Sequence, residues 1–148
     1  NANTGAVLWS RTYTAGGILD LLFVECWGVS ALGDGGFAMA CGTGIEGCSG
    51  LSGTLLSNCR AGRADLRPGA VPRPPGVWQS LTIRTNSDGQ RLWQRVDAFR
   101  DVETGDFSGS SAAEWSVVTN DGGLAIITDE SSGLGVLKLG PEPSAPPP

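Results

Sequence analysis

Two Asp-Gly-Gly triplets, Asp34-Gly35-Gly36 and Asp121-Gly122-Gly123, constrain this chain more than any other feature. Asp-Gly supplies the positive φ that a tight hairpin turn needs. Short apolar runs flank both triplets: Phe37-Ala38-Met39-Ala40 follows the first and Leu124-Ala125-Ile126-Ile127 the second. Upstream, Trp27 matches Trp115 and Val29 matches Val117, with the first loop read as one residue longer. Each stretch predicts a β-hairpin with a Trp early on its first strand. The 23 glycines and the low charged fraction of 17% suit short strands and tight turns better than helices.

The segments after the hairpins also match. Leu81-Thr82-Ile83-Arg84 alternates as a strand does. Asn86-Ser87-Asp88-Gly89 reads as a turn and Arg91–Val96 as another strand. After the second hairpin, Gly133–Gly140 supplies the counterpart of the 81–84 strand. The counterpart of the last strand stands at the other end of the sequence. There, Thr4-Gly5-Ala6-Val7-Leu8-Trp9-Ser10-Arg11 matches Asp88-Gly89-Gln90-Arg91-Leu92-Trp93-Gln94-Arg95. The shared Leu-Trp-x-Arg is the most specific signal in the chain. The expected fold is all-β, with two four-stranded antiparallel sheets, the second completed by the N-terminal strand. Val7, Leu8 and Trp9 would then lie beside Val136, Leu137 and Leu139.

This pattern of Trp, Asp-Gly-Gly hairpin and G-x-x-Leu-Trp strand resembles the blade repeats of β-propeller-like extracellular surface proteins. The resemblance implies four-stranded blades, one of them shared between the chain ends. Propellers have about four to eight blades; this chain carries two. Three arrangements answer the shortfall. The sheets pack as a sandwich and the N-terminal strand completes the second in cis. Alternatively, the strand completes a neighbour's sheet in trans, and head-to-tail addition that does not close makes a filament. In the third, the chain forms part of a larger propeller. Residues 1–140 are expected to form one all-β domain, with residues 14–20 either a hinge for a donated strand or an ordinary loop.

An insertion at residues 42–76 separates two strands of the first unit and reads as a long loop without strong periodicity. Three of the four cysteines, Cys26, Cys41, Cys48 and Cys59, lie at or within it. No C-x2-C pair and no His occurs, so two disulfides are expected rather than zinc. Cys26–Cys41 with Cys48–Cys59 is one pairing and Cys41–Cys48 with Cys26–Cys59 another; the sequence leaves the three connectivities open. Disulfides imply an oxidising compartment, hence an extracellular or cell-surface protein. Residues 141–148 are proline-rich and favour polyproline II. They suit a linker or a glycosylated stalk carrying sugars at Pro143, Ser144, Pro146, Pro147 and Pro148.

The 15 acidic residues exceed the 10 basic ones, and the arginines are scattered, so neither nucleic acid nor an anionic membrane surface is an expected partner. The absence of His excludes Ser-His-Asp and Cys-His sites. Glu25, Asp97, Glu114 and Asp129 are the carboxylates a glycosidase would need, and they read better as edge or salt-bridge residues. Residues 101–106 hold three carboxylates without EF-hand spacing and read as a solvated loop. Trp9, Trp27, Trp93 and Trp115 fall at matched positions, where packing is expected. Trp78 falls outside them and is the candidate glycan contact. The expected protein is non-enzymatic and without cofactor or metal. It would be a structural subunit partnered by its own copies, or alternatively a carbohydrate-binding module.

Overall fold

The computed structural model describes residues 3–15, 23–45, 47–61, 78–97, 110–130 and 133–141. Seven strands and one short helix occur among them. Sheet one is a meander of β1 (Phe23–Ala31), β2 (Phe37–Gly44), β3 (Trp78–Thr85) and β4 (Arg91–Asp97). Sheet two is a meander of β5 (Ser111–Val118), β6 (Leu124–Glu130) and β7 (Gly133–Leu139). All neighbours pair antiparallel. The expected strands are therefore present as two antiparallel sheets. Sheet two has three strands, because residues 3–15 join no ladder.

The Asp-Gly-Gly turns are alike atom for atom. In the first, the Leu32 amide donates to Gly36 O and the Gly35 amide to Leu32 O, both at 2.9 Å. In the second, the Thr119 amide donates to Gly123 O at 2.9 Å and the Gly122 amide to Thr119 O at 2.8 Å. Gly35 and Gly122 hold φ of 83° and 80°, the left-handed conformation that closes the turn. Each Asp accepts the amide of the second glycine at 3.0 Å. A cation from the third strand then clamps the turn. Arg84 pairs with Asp34 and reaches Thr85 O, while Lys138 pairs with Asp121 at 2.9 Å and reaches Leu139 O at 2.9 Å. A Cβ at Gly36 would collide with Thr85 O and Arg84, and one at Gly123 with Leu139 O and Lys138. The second glycine of each triplet is thus a packing requirement, distinct from the φ requirement of the first.

These equal turns correct one expectation. The first loop is not longer than the second: Leu32 corresponds to Thr119 and Gly36 to Gly123. Counting back along the ladders, Gly28 sits opposite Ala40 where Trp115 sits opposite Ile127. Trp27 therefore corresponds to Glu114. Both fall at β-bulges, between Cys26 and Gly28 and between Ala113 and Trp115. A bulge adds a residue and re-aims the strand; Trp27 presses on Gly42 on the face that meets sheet two, and Trp115 pairs with Ile127 on the corresponding, outer face of sheet two.

The sheets pack through small side chains. Ala38 and Ala40 of β2, Ala113 of β5, and Leu124 and Ile126 of β6 form one buried cluster, with Leu32, Trp93, Leu137 and Leu139 against it. Contact is close enough that a Cβ on Gly28 would lie 2.8 Å from Glu114 O and 2.9 Å from Trp115 Cα. Ser30 Oγ donates to Ser116 O beside this point, and the two hydroxyls lie 2.9 Å apart. Lower in the seam, Ser110 and Ser111 accept the Trp78 and Ser80 amides at 3.1 Å. The opposite face of sheet one has its own cluster of Cys41, Leu81 and Ile83, flanked by Tyr13, Ala15, Val24, Met39 and Val96.

Both disulfides form in the pairing Cys26–Cys41 and Cys48–Cys59. Cys26 and Cys41 sit directly opposite each other in the β1–β2 ladder, which settles the facing that spacing alone left open. The insertion is more than a loop, because Gly53–Arg60 forms a helix, α1. An isolated helix of this length is marginal. Here Cys59 ties it to Cys48, and both pack with Ile45 and Leu51. Residues 46 and 62–76 of the insertion and 142–148 of the tail lie outside the described residues.

Candidate functional site

The expected assembly strand and its expected partner are both described, and they lie apart. Residues 5–13 lie across the β3–β4 turn of sheet one. Trp9 Nε1 donates to Ser87 O at 3.0 Å, and its ring meets Phe37 edge-on at 5.8 Å. Tyr13 Oη donates to Gly89 O at 2.6 Å, and Arg11 Nε lies 3.5 Å from Asp88 O. Gly89 has φ 71°, and a Cβ there would lie 2.7 Å from the Trp9 ring. This turn is therefore shaped to the indole. Gly5 has φ 68°, as its sequence match to Gly89 predicts. Val7 and Leu8 are 80% and 76% exposed.

Trp9 and Trp93 occupy related places. Trp93 lies on β4 of sheet one and packs against the cluster containing Leu124, the first residue of β6. Trp9 packs against Phe37, the first residue of β2. By the matched turns, Phe37 corresponds to Leu124. The Trp9 ring thus rests on sheet one as the Trp93 ring rests on the inter-sheet cluster.

The other expected partner is β7. Its ladder with β6 runs from Gly133 opposite Glu130 to Leu139 opposite Leu124, and no strand is laddered to its other edge among the described residues. Leu137 and Leu139 face the inter-sheet cluster. Val136 and Leu134, at 64% and 73% exposed, face outward. They share that outer face with Ile127, Trp115 and Val117 through direct ladder pairing. An antiparallel sheet that is apolar on both faces has one face more than the core uses.

Trp78 lies elsewhere. Its ring is 6.4 Å from that of Trp27, and both press on Gly42, where a Cβ would meet Trp78 at 2.9 Å and Trp27 at 3.0 Å. The pair floors an open groove of about 330 Å³ between the sheets, rimmed by Glu25, Glu114, Asp129 and Glu130. The groove gathers three of the four sequence-flagged carboxylates. Asp97 stands apart, joined to Arg95 at 2.6 Å, and this bond raises the arginine above its ordinary range. Trp27 was expected to pack rather than to line a groove; no sequence signal marked it, because the misplaced match to Trp115 hid its bulge. Among the described residues no group of His, Cys, Asp or Glu is placed to hold a metal. Residues 101–106 and the flagged positions Pro143, Ser144, Pro146, Pro147 and Pro148 lie outside the described residues.

The carboxylates with the clearest electrostatic role serve the turns. The Gly36 amide, then Arg84, hold the Asp34 carboxyl below its ordinary range. The Thr119 hydroxyl, then Lys138 and the Gly123 amide, do the same for Asp121. The two disulfides fit a non-reducing environment, and no described helix is long and apolar enough to cross a membrane. No family model, curated protein or solved structure matches this chain.

Proposed function

We propose that the chain is a non-enzymatic extracellular structural subunit that assembles head to tail into a fibril by β-strand addition. One observation carries this reading. Among the described residues the outer edge of β7 is unladdered and adjoins an exposed apolar face, while the segment whose sequence matches a fourth strand is seated on sheet one of the same chain. An open edge is a template for another chain, and addition that does not close on itself propagates. The blade-like order of the strands, the disulfide staples and a glycosylated proline-rich segment at 141–148 belong to the same reading. Electron microscopy of the purified full chain tests it: filaments are expected, and deletion of residues 1–13 should leave folded particles that do not elongate. A full chain that stays monomeric at high concentration would refute it.

The groove over Trp27 and Trp78 favours a second reading, a carbohydrate-binding module of a cell-surface protein. Paired indoles offer apolar area to a sugar face, and rim carboxylates accept from its hydroxyls. A glycan array distinguishes it: binding that disappears in Trp78→Ala supports this reading, and a blank array with folded protein removes it.

A further inference from the structure

The junction between the two sheets is a template for a junction between two copies. From it we infer that residues 7–13 of one copy pair with β7 of the next in a fixed register. In the same step, the outer face of the acceptor's sheet two covers the exposed β1 side of the donor's sheet one. This inference rests on the head-to-tail reading and adds the partner surface, the register and the state of the donor strand.

The register follows from the matched clamps. Arg84 of β3 corresponds to Lys138 of β7, because each salt-bridges the Asp of its hairpin and reaches the next carbonyl. Trp9 corresponds to Trp93 by sequence and by its seat. In sheet one Arg84 pairs with Trp93, Ile83 with Gln94 and Thr82 with Arg95. Carried across, Lys138 pairs with Trp9, Leu137 with Ser10 and Val136 with Arg11. Among the described residues, the backbone groups of 7–13 make no hydrogen bond, which leaves them open to the ladder.

The faces follow from the same correspondence. The face of sheet one that meets sheet two carries Ala38 and Ala40; its counterpart in sheet two carries Ala125 and Ile127, on the outer face with Trp115, Val117 and Val136. Within one chain this kind of face is covered by the following sheet. In sheet two it is 53% exposed at Trp115, 49% at Val117 and 64% at Val136. The matching receptor is the face of sheet one that carries Phe37 and Met39, counterparts of Leu124 and Ile126. Its β4 side is occupied by Tyr13 and Ala15, while its β1 side presents Val29, opposite Met39, at 60% exposure. Trp115 and Val117 stand where Gly28 and Ser30 stand in sheet one, so the seam between copies is wider than the seam within one. The donor strand stays seated on its own sheet through Trp9. Assembly then docks two preformed surfaces and needs no swinging arm at 14–20.

Disulfide trapping tests the register on the full chain. Ser10→Cys and Leu137→Cys proteins, mixed and oxidised, should give a covalent dimer whose new bond mass spectrometry places between residues 10 and 137. Val7→Cys mixed with Leu137→Cys should give at least tenfold less. Equal yields from both mixtures, or none from either in material that still elongates, overturn the register while leaving head-to-tail assembly standing. Closure of a Ser10→Cys/Leu137→Cys double variant within one monomer would overturn the inference in favour of completion in cis. Val117→Lys tests the face: it should retain the wild-type melting curve and lose elongation, and unchanged elongation overturns the face. A chain that never elongates overturns both the inference and the reading beneath it.

Discussion

Gly28→Ala probes the closest approach of the two sheets. Gly28 does not adopt positive φ, so alanine meets no backbone strain there. The new Cβ would instead meet Glu114 O at 2.8 Å and Trp115 Cα at 2.9 Å. Both obstacles are main chain within a strand, so neither can rotate away. Restoring ordinary contact requires the sheets to part locally by about half an ångström, and such overpacking costs about 1–3 kcal/mol. The same shift stretches the Ser30–Ser116 hydrogen bonds, worth about 1 kcal/mol. The expected loss is about 2–3 kcal/mol, read by urea or guanidinium unfolding, with a fall in Tm of roughly 5–10 °C for a chain of this size. Gly33→Ala is the control: nothing lies within 4 Å of its Cβ position and its φ is ordinary, so stability should be unchanged or slightly raised. If Gly28→Ala unfolds within 0.5 kcal/mol of the wild type, a small change on this scale, the sheets do not meet through Gly28 and the packing argument fails.

Three further outcomes follow from the geometry. Asp34 and Asp121 titrate lower folded than unfolded, so their stabilisation is complete above the unfolded value of about 4 and is lost as pH falls through the folded values. Asp34→Asn/Asp121→Asn should therefore flatten the acid limb of the stability curve; an equal drop at pH 3 and pH 7 would contradict this. Trp9→Ala removes the indole from Ser87 and Phe37 and should speed tryptic cleavage after Arg11 at least tenfold; an unchanged rate would show that Trp9 does not seat the segment. Cys48→Ser/Cys59→Ser should release α1, with its amides exchanging near the unfolded rate while β2 and β3 stay protected; retained protection of 53–60 would show the helix stands without its staple.

The hairpins were legible because their determinants are local. Asp-Gly-Gly specifies its turn whatever surrounds it, period-two alternation found β3, and the match to that strand found β7. The disulfide pairing was not legible, since opposition of Cys26 and Cys41 depends on ladder register. The bulges were hidden for a related reason: an extra residue in a strand reads, in sequence, as an extra residue in the loop. Helix α1 escaped notice because eight residues give too little periodicity and its hold is tertiary. The Leu-Trp-x-Arg match set residues 7–11 beside the β4 residues 91–95 in sequence. It could not tell which sheet the Trp9 ring rests upon, because a strand's partner and the surface beneath it are set by different contacts. The groove was half legible: Trp78 stood out by lacking a repeat counterpart, and Trp27 did not.

The seam of Gly28, Ala38, Ala40 and Ala113 also governs how such a sequence can change over generations. Side chains already near the minimum size leave no slack on either side. A gain of volume at Ala40 is tolerated only with a loss opposite, and Gly28 has nothing left to lose. These positions are therefore expected to vary together or not at all across related chains, while outward positions such as Val29 drift freely unless a neighbouring copy covers them. Correlated restraint at Val29, Val117 and Val136 would be the inherited trace of a partner, written in the sequences without any experiment on the assembled material.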